Sequence, residues 1–395
     1  MGTRPNGLFS KLGFPLKFQV NRDVLNDAVA FVARFLPQRP TNPAFGGILI
    51  EADANAVRLS VFDHRVSGQV EIIAKVENSG RILISGRLLS DLVSKLPNQP
   101  VEFTLNGSTF QLVCGNTKVG FPTMDVNQFP TLPEIPSVSG TISAESFGTA
   151  VHQASVASLR DELEPIFASI QLETSGTELS LLATDKYRMA LVELDWNPSS
   201  KESDATVMVP TKTLLEVAKT FGNTGDIAIS IMNNDDRQMI AFQAHNKSVT
   251  AGLIKGGFPP IKTMFSAEVN SYAIVSKQDL LESARRAMLV VDRDHHMRFM
   301  FNTDSILIET NPGELNQASE RVDAELVGDP RAMELKPQFV IDGLSGIHTE
   351  FAKIGLTNMH DNPAKASPLL LAPHTGKDET ADKFRYLLQP RLLSN

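Results

Sequence analysis

Two aspartates at corresponding places, Asp63 and Asp185, are the residues of this chain whose surroundings first suggest chemistry. They lie in Leu59-Ser-Val-Phe-Asp-His-Arg-Val66 and in Leu181-Leu-Ala-Thr-Asp-Lys-Tyr-Arg-Met-Ala190. Adjacent carboxylates could divide general acid and base roles between them. However, the chain contains a repeated unit, described below, and each aspartate lies at the same place in a different copy of it. We therefore expect the two to lie a domain length apart. A structural role in a turn is therefore the favoured interpretation for both.

The adjacent histidines His295 and His296 are the other candidates, as metal ligands. Neighbouring side chains point to different faces of a helix or strand, which makes a poor two-ligand site, so a solvated loop is favoured. The sequence contains no G-x-x-x-x-G-K-[ST] loop, no G-x-G-x-x-G, no G-x-S-x-G and no H-E-x-x-H. The sequence thus predicts no catalytic residue, no metal site and no cofactor.

The composition is that of an ordinary globular protein. The chain has 395 residues, 42% of them hydrophobic and 21% charged, so two or three domains are expected. Its only cysteine, Cys114, excludes an intramolecular disulfide and favours the cytoplasm. No apolar run approaches the ~20 residues that span a bilayer, and residues 1–14 lack the core of a secretory signal, so they are interpreted as a short extension.

The net charge of −8 argues against a generally basic DNA-binding protein. It does not exclude a protein whose basic residues line one inner surface while its outside is acidic.

The elements that must hold these residues recur three times along the chain. Asp63 has its counterpart at Asp185, and a fainter third copy, Leu307-Ile-Glu-Thr-Asn-Pro312, places Asn311 at the same position. Each copy begins with a strand and a helix. Asn21 and Ser276 are expected to cap the helices of the first and third copies, and Ser143 or Ala144 is expected to open that of the middle copy. More strands follow, then a second helix, predicted at 86–96, 211–221 and 337–347, then further strands. This order predicts an α+β fold with antiparallel sheets and two helices per copy.

The Phe-Pro pairs at Phe129-Pro130 and Phe258-Pro259 mark where one copy ends, since proline cannot continue a strand ladder. We therefore expect an extension at 1–14 and domains at 15–138, 139–267 and 268–395, called the first, middle and third copies below. The polar, acidic segment Asn311–Pro330 is expected to be an exposed insertion loop.

These repeats resemble the bacterial DNA sliding clamp family, the beta subunit of the replicative DNA polymerase. The resemblance extends from about Lys17 to the C-terminus. It is carried by Thr184-Asp-Lys-Tyr-Arg-Met189, Gly257-Phe-Pro259, Arg39-Pro-Thr41 before Gly47-Ile-Leu-Ile50, and Tyr386-Leu-Leu-Gln-Pro-Arg-Leu-Leu393. The order and spacing of these short segments, together with the threefold repeat, make the match specific.

The resemblance implies a ring-forming homodimer of DNA-clamp domains, with helices lining the hole. The ring would enclose duplex DNA without sequence preference, slide along it, and act as a non-catalytic processivity factor. The implied partners are the replicative polymerase catalytic subunit, the clamp loader, and other replication and repair proteins that carry a clamp-binding motif. No membrane partner is implied.

The resemblance also implies where DNA and peptides bind. Arg39 matches a DNA contact of the family. Other candidate DNA-facing residues are basic side chains on or beside the helices, for each of which a solvated helix face is an equal alternative: Arg22, Arg34, Arg87, Lys95, Lys212, Lys219, Lys277, Arg285 and Arg286. A pocket between the middle and third copies is implied at Phe167, Thr184, Lys186, Tyr187, Arg188, Met189, Pro259, Met264, Leu387, Leu388, Gln389, Pro390, Arg391 and Leu392. In the family the position of Lys186 is often small, that of Met189 is often leucine, and that of Thr263 is commonly basic.

The implied dimer interface joins the first copy of one subunit to the third copy of the other. Val119 and Phe121 would face Met288 and Leu289, with burial in the core as the alternative for all four. A different reading of the whole chain is a clamp-like scaffold that binds peptides through the same pocket and does not encircle DNA.

Overall fold

The structure is a computed structural model that describes residues 16–200, 204–222, 225–234, 237–291, 295–310, 316–357, 367–376 and 383–391. The extension at 1–14, Asn311 and Leu392 lie outside these residues. The described chain forms two compact units: one contains the residues up to Pro136 together with Ala241–Gly252, and the other contains Ser137–Ile240 and the remainder from Leu253 onward.

The first copy contains two helices and nine strands in the described residues. In chain order they are β1 Lys17–Val20, α1 Arg22–Ala33, β2 Gly47–Asp53, β3 Ala56–Phe62, β4 Val66–Ile73, β5 Lys75–Asn78, β6 Gly80–Ser85, α2 Gly86–Val93, β7 Val101–Asn106, β8 Thr109–Cys114 and β9 Thr117–Pro122.

The middle copy has the same plan over its described part. Its elements are β10 Gly140–Ser143, α3 Ala144–Ser155, β11 Ser169–Ser175, β12 Glu178–Thr184, β13 Arg188–Asp195, β14 Asn197–Pro198, β15 Ala205–Pro210, α4 Thr211–Phe221, β16 Asp226–Asn233, β17 Gln238–Ala244 and β18 Lys247–Gly252. A 3-10 helix at Ile261–Ser266 follows.

The third copy repeats the plan again. Its described elements are β19 Ser271–Ser276, α5 Lys277–Ala287, β20 Met297–Asn302, β21 Ser305–Glu309, β22 Ser319–Val327, β23 Arg331–Leu335, α6 Pro337–Ser345, β24 Phe351–Leu356, β25 Leu369–His374 and β26 Phe384–Leu388. The predicted α+β fold with two helices per copy is confirmed.

The first unit holds two antiparallel arrays of strands, ordered β5-β1-β7-β8-β9 and β18-β4-β3-β2-β6. β18 comes from residues that the repeat assigns to the middle copy, and it pairs with β4 from Lys247 opposite Val70 to Ala251 opposite Val66. A buried hydrogen bond of 2.7 Å between the Ser67 and Thr250 hydroxyls closes this join. The domain ranges expected from the sequence stay a prediction. The first compact unit differs from the range of the first copy because it also contains Ala241–Gly252.

The second unit contains a sheet of twelve strands within the described residues, ordered β15-β11-β12-β13-β26-β25-β24-β19-β22-β21-β20-β23. The strands of the middle and third copies meet where β13, from the middle copy, pairs with β26, near the C-terminus. The last strand of the third copy therefore continues the sheet of the middle copy.

The predicted caps Asn21 and Ser276 are confirmed, since each accepts a backbone N–H of the first helical turn. Of the two residues expected to open the middle copy's helix, Ser143 is the cap and Ala144 is the first helical residue. Two predicted helices, those at 86–96 and 337–347, are shorter in the structure. α2 ends at Val93 and α6 at Ser345, and i→i+3 hydrogen bonds replace the helical pattern beyond each end, as between Leu96 N and Val93 O.

The expected insertion loop at Asn311–Pro330 is wrong for its second half. Residues 319–327 form β22, which pairs with both β21 and β19. Val322 and Leu326 point into the core while acidic side chains alternate with them on the exposed face. The high charge of this segment concealed a strand with one solvated face.

Candidate functional site

The turn between β12 and β13 holds the candidate site. The Asp185 carboxylate accepts hydrogen bonds from the backbone N–H groups of Tyr187 and Arg188, both at 3.1 Å. The Thr184 hydroxyl donates to the Arg188 carbonyl at 2.7 Å and accepts from the Lys186 N–H at 3.1 Å. Between them, Lys186 has a φ of 81°, in the left-handed region. Asp185 therefore has the structural turn role that the sequence predicted.

The first copy contains the same turn. The Asp63 carboxylate accepts from the N–H groups of Arg65 and Val66, both at 2.9 Å, and His64 has a φ of 71°. The correspondence of Asp63 with Asp185 is thus a correspondence of geometry as well as of sequence. The proposed third member, Asn311, lies outside the described residues.

The middle copy differs in having a buried arginine after its turn, where the first copy has Val66. The Arg188 guanidinium donates from Nε to Asp185 at 2.8 Å and from Nη1 to Asp342 of helix α6 at 2.5 Å. It also lies 4.3 Å from the ring centroid of Phe339. Burial by itself lowers the pKa of Arg188, but Asp342 and Asp185 raise it above its ordinary value. The guanidinium thus fixes the turn of the middle copy to a helix of the third copy.

Neighbouring polar groups complete this network. Gln338 Nε2 donates to the second oxygen of Asp342 at 2.7 Å. The buried Tyr386 hydroxyl donates to the Phe339 carbonyl at 2.9 Å. Burial raises the pKa of Tyr386 well above its usual range, so the hydroxyl stays a neutral donor at physiological pH.

The C-terminal segment is held against this turn. Met189 lies opposite Leu387 and Arg188 opposite Leu388 in the β13–β26 pair, and the Gln389 N–H donates to the Tyr187 carbonyl at 3.0 Å. Beyond the strand, Arg391 exchanges two backbone hydrogen bonds with Glu334.

An apolar cluster lies on one face of the β12–β13–β26 sheet. Its buried members are Leu182, Leu191, Ile261, Phe265 and Leu387, and the half-buried side chains packed on it are Met189, Phe258, Met264 and Leu370. We call these nine residues the cleft cluster. The half-buried members offer an apolar surface that a partner could cover.

Several expected pocket residues are placed differently by this geometry. Leu388 is fully buried and, as the neighbour of Leu387 on a strand, points to the opposite face of the sheet, so it is core and not pocket. Pro390 is buried as well, whereas Gln389 and Arg391 are exposed. Pro259 is half-buried beside the cleft cluster, and Leu392 lies outside the described residues.

Sequence reasoning missed Phe258, Ile261, Phe265 and Leu370 as parts of this site. The first was visible in the Phe-Pro pair, but it was interpreted only as a boundary signal. At the position commonly basic in the family, Thr263 is exposed, while the adjacent Lys262 ammonium is 3.3 Å from the Glu173 carboxylate.

Comparisons with known proteins agree over almost the whole chain. The family models for the DNA polymerase III beta subunit match with the N-terminal domain at residues 16–133, the central domain at 141–260 and the C-terminal domain at 262–380. A beta sliding clamp from Streptomyces coelicolor is 35% identical over 96% of this chain and 100% of its own length. The beta sliding clamp homolog GriR from Streptomyces muensis is 31% identical over 95% of this chain and 99% of its own.

The chain belongs to the DNA polymerase III beta subunit family.

Solved structures show the same fold at lower identity. The DNA polymerase sliding clamp from Bacillus subtilis superposes with a TM-score of 0.86 at 22% identity, covering 96% of this chain and 100% of that one. A sliding clamp from Pseudomonas aeruginosa bound to griselimycin gives the same TM-score, identity and coverages. As a sliding clamp the chain is a processivity factor and not an enzyme, and the family works as dimeric rings with DNA and a polymerase.

Most of the candidate DNA-facing residues of this clamp are exposed on or beside its helices. Exposed members are Arg34, Arg39, Arg87, Lys95, Lys212, Lys219 and Arg285. Several candidates already have partners, among them Lys212, whose ammonium lies 3.6 Å from a Glu162 carboxylate oxygen. The Arg286 guanidinium forms an ion pair with Glu320 at 2.7 Å, Lys277 donates to the Ile347 carbonyl at 3.1 Å, and Arg22 pairs with Asp23 at 2.8 Å.

The candidate interface residues divide between core and surface. Phe121 is fully buried opposite Phe110, so its placement in a dimer interface is wrong and the core alternative applies. Val119 and Met288 are half-buried, and Leu289 is 83% exposed. β9, which carries Val119, is an edge strand of its sheet and so has backbone groups available for a partner.

In the described part of the chain, no group of three or more acidic, histidine or cysteine side chains could hold a metal ion. No helix there is long and apolar enough to cross a membrane.

Equivalent substitutions in the two turns distinguish the stability contributed by the turn from the stability contributed by the Arg188 network. We expect Asp63→Ala to lower the free energy of unfolding by about 1 kcal/mol, because an exposed turn loses two hydrogen bonds. Asp185→Ala should cost roughly 3 kcal/mol, because it also removes one of two carboxylates from a buried guanidinium. Asp185→Asn, which keeps the turn acceptor, should fall between them. Urea unfolding followed by circular dichroism checks this, and equal losses for the two alanine variants would contradict it.

Proposed function

We propose that this clamp forms a homodimeric ring in the cytoplasm that encloses duplex DNA and tethers partner proteins through the cleft cluster. The observation that carries the proposal is the join of β26 to β13, which places Leu387 of the C-terminal segment beside Met189 of the turn. The proposed occupant is a short peptide segment of the polymerase catalytic subunit, the clamp loader, or a repair protein.

Energetics favour exchangeable partners. A fully buried apolar anchor contributes about 1.5–3 kcal/mol, and the half-buried cleft residues offer room for two or three anchors. After the cost of ordering a peptide, an affinity near micromolar is expected, or about 8 kcal/mol. Such an affinity permits one partner to replace another.

The DNA proposal is supported by the exposed basic side chains on or beside the helices, among them Arg39 and Arg285. A ring that holds DNA by closure needs few tight phosphate contacts, so it is compatible with a net charge of −8. In the scaffold alternative the protein binds peptides at the cleft but forms no ring around DNA. One relative is named a clamp homolog and not simply a clamp, so the two functions are tested directly.

Retention on DNA separates these two functions. We expect the loaded protein to remain on a closed circle and to leave a linear duplex through its ends, because closure and not affinity holds it. The measurement is the protein that co-elutes with each DNA form after loading, with the mass in solution taken from the same sample. A monomer, or equal loss from circle and linear DNA, would support the scaffold instead.

The cleft proposal predicts a loss of peptide binding on truncation of Met189. Met189→Ala should weaken a labelled apolar peptide about fivefold to tenfold, since a half-buried anchor contact is lost. Met300→Ala is the matched control, a half-buried methionine on a strand of the third copy outside the cleft cluster. Fluorescence anisotropy measures both, and an equal effect of the two substitutions would place the peptide elsewhere.

The dimer proposal predicts that a charge at Leu289 separates the subunits. Leu289→Asp should give a monomer at micromolar concentration, because a carboxylate would be buried at the interface without a partner. Leu163→Asp is the control, since Leu163 is 84% exposed but lies in the middle copy. Sedimentation reads out the mass, and a Leu289→Asp protein that remains dimeric would remove this residue from the interface.

A further inference from the structure

The turn that leads into the cleft residue Met189 carries an ion pair at Lys186. The Lys186 ammonium lies 2.5 Å from the Glu164 carboxylate and 4.6 Å from the ring centroid of Phe167. Phe167 is half-buried, so the ammonium and the lysine stem cover part of an apolar surface in the protein without a partner.

The position of the pair is set by two turns. The Glu164 carbonyl accepts from the N–H groups of Phe167 and Ala168, both at 3.0 Å, which holds the carboxylate and the ring in one turn. Lys186 is held by Thr184 and Asp185 in the left-handed conformation, where glycine would be less strained. A long cation is therefore present at a position of left-handed φ, three residues before the cleft residue Met189.

The first copy shows that this pair is an addition to a shared framework. His64, Phe45 and Asn42 lie 122 residues before Lys186, Phe167 and Glu164. His64 also has a left-handed φ, and its ring centroid lies 5.1 Å from that of Phe45. Asn42, however, accepts a hydrogen bond from the Ala44 N–H, where Glu164 pairs with Lys186. Of the two turns that the structure describes, both share the left-handed residue and the ring contact, and the one in the middle copy has the ion pair.

The pair is weak enough to open. Its lysine and glutamate side chains are 51% and 50% exposed, and exposed pairs of this kind contribute little to stability. A peptide anchor that packs on Phe167 would displace the ammonium from the ring. The displaced cation would then lie beside the bound peptide, in a partly dehydrated place where a carboxylate stabilises it.

We infer that Lys186 is a specificity-determining residue that exchanges Glu164 for an acidic side chain of the bound peptide. The cleft would then select segments that carry Asp or Glu next to the apolar anchor on Phe167. Glu164 acts as a built-in competitor that disfavours peptides without this charge. The inference rests on the proposed peptide-binding function of the cleft.

The test uses labelled hexapeptides with three large apolar side chains. One further position is Asp, Asn or Lys, and its place in the peptide is varied across the set. At low salt the full chain should bind the best Asp peptide about two- to fivefold more tightly than its Asn counterpart. Lys186→Gln should abolish this preference, and Glu164→Gln should enlarge it because the competitor is gone. The preference should fade at 1 M salt, where the screening length is about 3 Å.

Arg58→Gln is the matched control, since the Arg58–Glu71 pair is 50% and 51% exposed and lies outside the cleft. It should leave the preference unchanged. A preference that survives Lys186→Gln, or tighter binding of the Lys peptide than the Asn peptide, would overturn the inference. If Met189→Ala leaves every peptide's affinity unchanged, the proposed function fails instead, so the two failures are distinguishable.

Discussion

The burial of one guanidinium, that of Arg188, is the constraint on which the rest of the candidate site depends. A charge removed from water is unfavourable unless nearby groups replace its hydration. Asp185 and Asp342 supply that replacement from two different copies of the repeat, at 2.8 and 2.5 Å. Separating the copies would expose the charges of Arg188, Asp185 and Asp342 to water or leave them buried without a partner. The network therefore defines one arrangement of the middle turn against helix α6, whatever its net contribution to stability.

The cleft cluster exists because of that arrangement. Leu182 and Leu191 belong to the middle copy, Leu387 comes from the last strand of the third, and Ile261 and Phe265 come from the connecting 3-10 helix. None of the three segments alone would present a continuous apolar surface. A partner that binds there recognises the join between two copies, and an unfolded or separated third copy would offer no site.

How much could be predicted from sequence follows from how local each signal is. The Asp63 and Asp185 turns and the Asn21, Ser143 and Ser276 caps were predictable because a short side chain bonds to backbone groups two or three residues away. The core position of Leu388 and the partners of Arg286 and Lys277 depend on strand register and on elements distant in sequence.

The segment that forms β22 is a second case in which the sequence did not predict the structure. Its acidic composition indicated a loop, yet a strand needs only every second residue to be apolar when one face is solvated. Val322 and Leu326 satisfy that requirement through contacts that are remote in sequence. The pairing of β18 with β4, which precedes it by some 180 positions, likewise depends on contacts that are remote in sequence.

The two described turns also show how a repeated framework can acquire a binding role without a new backbone. Both place a residue of positive φ against the ring of the corresponding phenylalanine, Lys186 on Phe167 and His64 on Phe45. Their side chains differ, with a lysine for a histidine, a glutamate for a capping asparagine, an arginine for a valine, and a hydrogen-bonding threonine, Thr184, for Phe62. The turn supplies position and the side chains supply chemistry, so function follows the site and not the fold. Under the proposed function, the copy that binds a peptide is the one whose turn carries Lys186 and Arg188, where the first copy has His64 and Val66.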